Sequence, residues 1–394
     1  MIFVGGFLVV RILTKEEYGT YTYILNIFSI FTLLGDLGIS ASVLQYGTVY
    51  YMNNEKRKAY IRYGRKVIWF TSLLSVALIF FISYMYKFNI QNAGSLFRLL
   101  LLLPIFNNEI LYFQSVLRIE LRNKEYARIN ILSTAIHYTA LIGMAFLAGV
   151  KGAIFAAYPE TAIVLVVYII TVNPQIYQGN GNLSRQEKRD FWRFAILMQL
   201  NQTSLALLNY LDIYCIGLML NTQEIIAEYK VASTIPTALY FIPKSIMFFI
   251  VPIMGRKKSD IEWTKSTLKK LVFINALLCG VVAIIVALLS KYIINIVYGQ
   301  QYADSRMCFL VLLIGFVIYG ALQCPASNIL SIQEKLNVLF FTSAAGAALN
   351  IILNIWMIHM AGAVGAAIAT VSSHLFIGIV LIYYLWLLLN KRNG

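Results

Sequence analysis

Long runs of apolar residues separated by short polar segments extend along the whole chain. Most runs have about 20 residues or more, the length that an α-helix with a rise of about 1.5 Å per residue needs to cross a bilayer. They are continuous rather than alternating, which favours spanning helices over the strands of a β-barrel. The pattern predicts about twelve spans, at residues 1–13, 20–46, 67–86, 96–117, 129–148, 152–173, 195–218, 231–253, 271–290, 307–329, 338–358 and 364–389.

The composition agrees with an integral membrane protein of the all-α class. Hydrophobic residues make up 60% of the 394 residues and charged residues only 12%, far from the balance of a soluble domain. The first run is short, and it lacks the basic start and the cleavage site of a signal peptide. We therefore expect that the first helix is truncated, with its beginning outside this chain.

The net charge of +15 would suit a nucleic-acid-binding protein, but the positions of the charges indicate topology instead. Most of the 32 Lys and Arg residues lie in segments that follow every second predicted span. Under the positive-inside rule these segments are cytoplasmic, both termini lie inside, and the basic residues face anionic membrane lipids. No nucleic acid partner is predicted. The segments are 52–66, 118–128, 174–193, 255–270, 330–337 and 390–394.

The two halves of the chain resemble each other. The pattern G-x-x-G-A-x-x-A begins the sixth predicted span at Gly149 and the twelfth at Gly362. A Glu-Tyr pair precedes the second span at Glu17 and the eighth at Glu228, and the two separations agree to within two residues. Six spans per copy give both copies the same orientation, so the pattern predicts a parallel repeat of two six-helix lobes, 1–178 and 179–394. A Gly- and Asn-rich segment at 179–182 reads as the linker between them. Such lobes would enclose a cleft suited to alternating access.

Several segments resemble the polysaccharide transporter family, which comprises the flippases for O-antigen and other lipid-linked oligosaccharides. RILTKEEYG at 11–19 and GDLG at 35–38 look like the start of that family, and DIYCIG at 212–217 with EYKVA at 228–232 add to the likeness. Ala227 stands where the family commonly has Gly.

The resemblance implies a two-lobed, 12-helix flippase in the inner (plasma) membrane. It would move an undecaprenyl-diphosphate-linked oligosaccharide, an O-antigen or capsule repeat unit, from the cytoplasmic to the periplasmic leaflet. A polysaccharide polymerase and a chain-length regulator are the protein partners that it implies.

Acidic residues inside predicted spans are candidates for coupling a proton or Na⁺, because an ionisable group there costs about 2.5–3.5 kcal/mol and faces protein or water. Asp212 shares a helix face with Asn209 and either binds the cation, contacts sugar hydroxyls, caps a backbone or pairs with a lysine. Asp36, Glu109 and Glu160 are the other candidates. Glu160 follows Pro159, which should kink its helix, and the carboxylate either holds a cation or satisfies the disturbed backbone.

Basic and amide side chains are candidates for binding the substrate. Lys244 either pairs with the diphosphate, which loses hydration inside a cleft, or snorkels, or pairs with Asp212. Arg118 lies at a cytoplasmic span end, where it either guides the head group at the cavity mouth or only snorkels and contributes to topology. Asn350 belongs to a polar stripe suited to sugar hydroxyls or to contacts between helices. His137 is a possible proton relay or a packing residue, and His374 reads the same way.

No catalytic motif stands out, so an enzyme is not predicted. Aromatic residues near span ends, such as Tyr383 and Trp386, read as interfacial belts rather than sugar platforms. The four cysteines lie within apolar spans without close spacing, so no metal site or disulfide is indicated. No cofactor is expected beyond H⁺ or Na⁺. The alternative function is a cation-coupled multidrug antiporter of the same superfamily, for which the acidic residues inside the spans argue.

Overall fold

A computed structural model describes residues 2–33, 35–85, 88, 90, 92–178, 181–256, 260–333 and 335–391. The side chains of residues 2–5, 201, 205, 209, 252, 256 and 391 lie outside this description. All the regular elements of the described residues are helices, which confirms the all-α prediction. The chain forms two compact units, Met1–Thr203 and Ser204–Gly394.

The first unit contains eight α-helices of the described chain and the first part of a ninth. They are α1 (Ile2–Ile12), α2 (Lys15–Thr32), α3 (Ile39–Val49), α4 (Asn54–Met85), α5 (Ala93–Arg98), α6 (Leu103–Ile119), α7 (Asn123–Phe155), α8 (Ala157–Thr171) and α9 (Arg185–Met219). A 3-10 turn, Pro174–Tyr177, follows α8. The rings of Tyr60, Tyr112, Phe113 and Tyr168 are almost completely buried in the core of this unit.

The second unit contains the rest of α9 and the helices that follow it. They are α10 (Gln223–Ala238), α11 (Phe241–Arg256), α12 (Ile261–Ile293), α13 (Arg306–Ile318), α14 (Cys324–Ile332) and α15 (Leu336–Lys391). A π-helical turn, Tyr319–Gln323, joins α13 to α14. A second π-helical turn and a 3-10 helix, Ile294–Tyr298 and Gln300–Ser305, connect α12 to α13. Leu330, Ile377 and Leu385 lie in the core of this unit.

Six helical segments of the described chain are long and apolar enough to cross a bilayer. They are Asn54–Met85, Asn123–Phe155, Gln223–Val251, Ile261–Tyr298, Gln300–Ile332 and Leu336–Asn390. Ala157–Thr171 and Tyr210–Met219 are shorter apolar helices. The chain is therefore a multi-pass membrane protein, and the number of twelve spans stays a prediction.

A break of the same geometry interrupts α7 and α15. The backbone leaves the helical region at Ala148 and Gly149 (φ/ψ −140°/21° and 55°/−137°) and again at Ala361 and Gly362 (−137°/18° and 56°/−137°). The second residue of each pair has a positive φ, which glycine adopts without the penalty that a Cβ brings. At both breaks the repeated G-x-x-G motif thus produces the same local fold.

The segment before α9 and the first turns of α9 pack on the first unit. Arg62 donates to the carbonyl of Gly181 at 2.6 Å, and Lys56 forms a salt bridge with Glu187 at 2.7 Å. The ring of Phe191 is buried among tyrosine rings of α3 and α4. These contacts explain why the first unit extends to Thr203. Gly179 and Asn180 of the predicted linker lie outside the described residues, and the lobe boundary at 178/179 stays a prediction.

The GDLG motif separates α2 from α3. Gly38 has a φ of 75°, and a Cβ there would overlap the backbone carbonyl of Ala195 in α9. Asp36 accepts hydrogen bonds from the hydroxyl of Ser40 at 2.7 Å and from its amide at 3.2 Å. Gly38 therefore lets α9 approach closely, and Asp36 caps the beginning of α3.

Candidate functional site

The carboxylate of Asp212 is the centre of a buried polar cluster in the second unit. Its Oδ1 accepts hydrogen bonds from Asn354 at 2.9 Å and Asn350 at 3.3 Å. Its Oδ2 accepts from the hydroxyl of Tyr229 at 2.5 Å and from that of Thr370. Asp212 is only 4% exposed and the two asparagines are fully buried. We call these five residues the Asp212 cluster.

Three helices bring the Asp212 cluster together. Asp212 comes from α9 and Tyr229 from the first half of α10. Asn350 and Asn354 lie one turn apart on α15, so both amides face the same way. Thr370 follows the break in α15, directly after the G-x-x-G-A-x-x-A motif. The break turns the second part of α15 back, which allows two parts of one helix to reach the same carboxylate.

The Asp212 cluster has the chemistry of a site for a small hard cation. The four groups that bind the carboxylate are all neutral. The Oδ1 atom of Asn354 is buried and has no hydrogen-bond partner among the described residues. Carboxylate, amide and hydroxyl oxygens are the ligands that such cations prefer. Asp212 and Asn350 are both buried, so neither offers a surface to sugar hydroxyls in this conformation.

Lys244 lies in α11 on the exposed surface of its helix. Its ammonium nitrogen is 5.9 Å from the ring centre of Tyr319. No salt bridge of Lys244 occurs among the described residues, and the carboxylate of Asp212 is occupied by neutral donors instead. A lysine on a membrane-spanning segment faces protein interior or a water-filled space by default. Lys244 is therefore available to an anion in this conformation.

Glu160 is the centre of a smaller polar group in the first unit, which we call the Glu160 cluster. The hydroxyl of Ser133 donates to Glu160 at 2.7 Å, and Nδ1 of His137 lies 3.1 Å from the other carboxylate oxygen. The helix is interrupted at Ala156, one turn before Pro159, as a proline predicts. Glu160 pairs with these side chains rather than with the disturbed backbone. The sequence identified His137 and Glu160 as separate candidates and did not predict their contact.

Glu109 lies in α6 and is only 3% exposed. One of its oxygens lies 3.8 Å from a guanidinium nitrogen of Arg65, and the other has no hydrogen-bond partner among the described residues. The guanidinium of Arg65 is also within 5.0 Å of the ring centres of Phe113 and Tyr177. Arg65 was not among the predicted site residues. It belongs to the basic segment 52–66, whose charge the positive-inside rule already explained.

The remaining predicted site residues are dispersed. Asp36 caps α3, which agrees with a structural role. Arg118 is exposed in the last turn of α6. The side chain of Asn209 lies outside the described residues. Sequence reasoning missed Tyr229 and Thr370, although the position of Tyr229 in the repeated Glu-Tyr pair was a signal that could have identified it.

Comparison with known proteins relates the chain to membrane transporters. Residues 8–307 match the family described as polysaccharide biosynthesis protein. A putative O-antigen transporter of Salmonella typhi is 22% identical over 325 residues, which cover 78% of this chain and 74% of that protein.

Two solved structures have the same fold at low sequence identity. One is an inward-facing multidrug resistance MATE family transporter of the MOP superfamily, with a TM-score of 0.80, 12% identity, and coverage of 99% of this chain and 94% of that one. The other is the lipid II flippase MurJ in an inward closed conformation, with a TM-score of 0.77, 14% identity, and coverage of 97% and 85%.

Proposed function

The chain belongs to the polysaccharide transporter family, and from that premise we propose that it is a flippase for an undecaprenyl-diphosphate-linked oligosaccharide. It moves an O-antigen or capsule repeat unit from the cytoplasmic to the outer leaflet. The observation that carries the proposal is Lys244, a cation without a salt bridge among the described residues, exposed on a membrane-spanning segment. A diphosphate that leaves water requires such a partner at close range.

The proposed mechanism is alternating access of two six-helix lobes with twelve spans in total. The identical backbone geometry at the breaks in α7 and α15 supports a parallel repeat. The basic segments support an orientation with both termini in the cytoplasm, in the inner membrane. A polysaccharide polymerase and a chain-length regulator are the proposed partners downstream of export.

The proposed coupling cation is H⁺ or Na⁺, bound at the Asp212 cluster. Outward movement of two negative charges across a membrane whose inside is negative gains about 2.3 kcal/mol per charge per 100 mV, or about 4 to 5 kcal/mol in all. Export of the anion is thus favourable by itself, and the cation resets the empty carrier. Glu160, Glu109 and Asp36 are weaker candidates, and the capping contact of Asp36 argues for a structural role.

Export in cells tests the role of Lys244. Lys244→Ala should abolish surface polysaccharide in a strain that depends on this protein, whereas Lys244→Arg should retain most of it. Lys291→Ala is the matched control, because Lys291 is an exposed lysine in the last turn of α12. Normal polysaccharide with Lys244→Ala, at wild-type protein level, would refute the assignment.

Transport in vesicles tests the coupling. Imposed Na⁺ and H⁺ gradients are applied in turn to the wild type, to Asp212→Asn and to Asp304→Asn, an exposed carboxylate in the 3-10 helix after α12. One gradient should accelerate the wild type and the Asp304 variant and leave Asp212→Asn unchanged. Equal rates with and without both gradients in the wild type would remove the coupling from the proposal.

The second candidate function is a cation-coupled multidrug antiporter. The likeness to a MATE family transporter and the buried carboxylates favour it. Such a protein binds cationic cargo, so Lys244→Ala should leave drug export intact or improve it. Resistance to cationic dyes that depends on this chain and survives Lys244→Ala would support the antiporter over the flippase.

A further inference from the structure

A pair of stacked tyrosines lies beside Lys244 in the second unit. The ring centres of Tyr240 and Tyr319 are 4.2 Å apart and their planes differ by 13°. Tyr240 occupies the turn between α10 and α11, and Tyr319 begins the π-helical turn between α13 and α14. Both residues are half-buried, so each keeps some exposed surface. Irregular turns of this kind inside spanning helices are frequent at functional sites.

A hydrogen-bonded chain fixes the orientation of Tyr240. Nδ1 of His374 is 2.8 Å from the side-chain oxygen of Gln323, which can only accept, so this nitrogen donates. The other ring nitrogen, Nε2, is then the acceptor for the hydroxyl of Tyr240 at 3.3 Å. His374 and Gln323 are both 6% exposed. These two buried side chains are positioning residues, because they hold the ring without access to a ligand of their own.

The surface next to the stacked pair carries both polar and aromatic side chains. Thr237, Lys244 and Ser245 are exposed on the same stretch of α10 and α11 as Phe241 and Phe248. A lysine on a membrane-spanning segment faces protein or water by default. The Lys244 ammonium lies 5.9 Å from the ring centre of Tyr319, so a cation and an aromatic surface are within reach of one ligand.

We propose that Tyr240 and Tyr319 form a platform for the sugar that is attached directly to the diphosphate, while Lys244 binds the adjoining phosphate. The proposal rests on the proposed transport of a lipid-linked oligosaccharide and specifies its binding site. The C–H groups on one face of a pyranose carry partial positive charge and pack on the electron-rich face of an aromatic ring. The platform thus recognises the sugar ring, and the ammonium of Lys244 recognises the phosphate.

Binding to the full chain in lipid nanodiscs tests the platform. The probes are farnesyl diphosphate and farnesyl-diphosphate-linked N-acetylglucosamine, which differ in the sugar and in the one additional ionisable oxygen of the free terminal phosphate. The wild type should bind the sugar-bearing probe about 10-fold more tightly. Tyr319→Leu should remove this preference, and Tyr319→Phe should retain it because the ring remains. Lys244→Ala should weaken both probes about equally.

A matched control comes from another stacked pair in the same unit. Tyr383 and Trp386 have ring centres 6.3 Å apart, near the end of α15, and both are exposed. Tyr383→Leu should leave the sugar preference unchanged. Gln323→Glu keeps an acceptor for His374 and should keep the preference, whereas Gln323→Leu should reduce it. If Tyr319→Leu does not fold, the comparison of Gln323→Glu with Gln323→Leu tests the platform in its place.

The results separate the platform from the transport function. A wild type that binds both probes equally, or a Tyr319→Leu variant that keeps the full preference, overturns the platform and leaves the flippase standing. Binding of neither probe overturns both. A preference that is lost in Tyr319→Leu and Gln323→Leu but kept in Tyr319→Phe and Tyr383→Leu supports the platform.

Discussion

Each unit has a polar cluster beside the same kind of helix break, yet the chemistry of the two clusters differs. His137 precedes Gly149 by as many residues as Asn350 precedes Gly362. In the second unit the carboxylate of Asp212 is 4% exposed and accepts four hydrogen bonds from neutral groups.

In the first unit the side chain of Glu160 is 16% exposed and binds a serine and a histidine. The same backbone break thus lies beside a polar cluster in each unit, and the two clusters differ in their side chains. The Glu160 cluster contains a histidine, whereas the side chains of the Asp212 cluster are a carboxylate, two amides and two hydroxyls.

The largest expected effect on stability comes from substitutions at the glycines that follow the two helix breaks. A Cβ at Gly152 would overlap the carbonyl of Met144, and one at Gly365 would overlap that of Met357. Because the clashing atoms are backbone, no side-chain movement relieves them, and Gly152→Ala and Gly365→Ala should each destabilise the fold by about 1–3 kcal/mol or more. Thermal unfolding in detergent measures the effect.

Gly280→Ala is the control for these variants, because a Cβ there has no atom within 4 Å and alanine favours helix. It should be neutral or slightly stabilising. If Gly152→Ala and Gly365→Ala unfold at the wild-type temperature, the close approach at the two breaks does not determine the fold.

The next largest effect should appear at the Asp212 cluster as stabilisation by a bound ion. If Na⁺ binds there, a Na⁺ concentration of 100 times the dissociation constant should raise the free energy of unfolding of the wild type by about 2.7 kcal/mol. Asp212→Asn should lose this response and Glu160→Gln should keep it. Unfolding is followed in NaCl and in choline chloride at equal ionic strength. If Na⁺ still stabilises Asp212→Asn, the ion binds at another site.

Much of the architecture follows from the sequence because it depends on local patterns. Apolar run length predicted the membrane helices, and the G-x-x-G motifs marked both breaks, since glycine adopts a positive φ without penalty. The same locality explains the cap at Asp36. The number of spans stays a prediction, because six segments of the described chain meet the length and hydropathy required.

The partners of the candidate residues could not be predicted in the same way. Asp212 meets Asn354 and Thr370 only because α15 turns back at Gly362, and Tyr240 meets His374 across more than a hundred residues. No spacing rule encodes such contacts. For the same reason the sequence left open whether Lys244 pairs with Asp212.

A substitution that makes the first unit resemble the second sharpens the comparison of the two clusters. His137→Asn places the counterpart of Asn350 beside Glu160 and removes one proton-exchanging group. The variant should fold normally and, if the proton gradient is the one that accelerates the wild type, reduce that acceleration by about 10-fold at most. Vesicle transport with imposed gradients measures it, with His359→Asn, an exposed histidine of α15, as the control. Unchanged proton dependence in His137→Asn would exclude the first unit from proton coupling.

The smallest effect should come from the salt bridge that holds the beginning of α9 on the first unit. Its hydrogen bond from Lys56 lowers the pKa of Glu187 below the usual 4.5. A carboxylate whose pKa is lowered by folding stabilises the folded state at pH values above its unfolded-state pKa. It loses this contribution as the pH falls through its folded-state pKa.

Glu187→Gln should therefore unfold slightly earlier than the wild type above about pH 5, and this difference should shrink as the pH falls towards 3. The difference should shrink in high salt because Lys56 is exposed to solvent. Thermal unfolding across this pH range measures it. Glu262→Gln is the matched control, since Glu262 forms a salt bridge with Lys265 within one helix and does not join α9 to the first unit. A difference between Glu187→Gln and the wild type that persists at pH 3 would show that the substitution acts through packing rather than through charge.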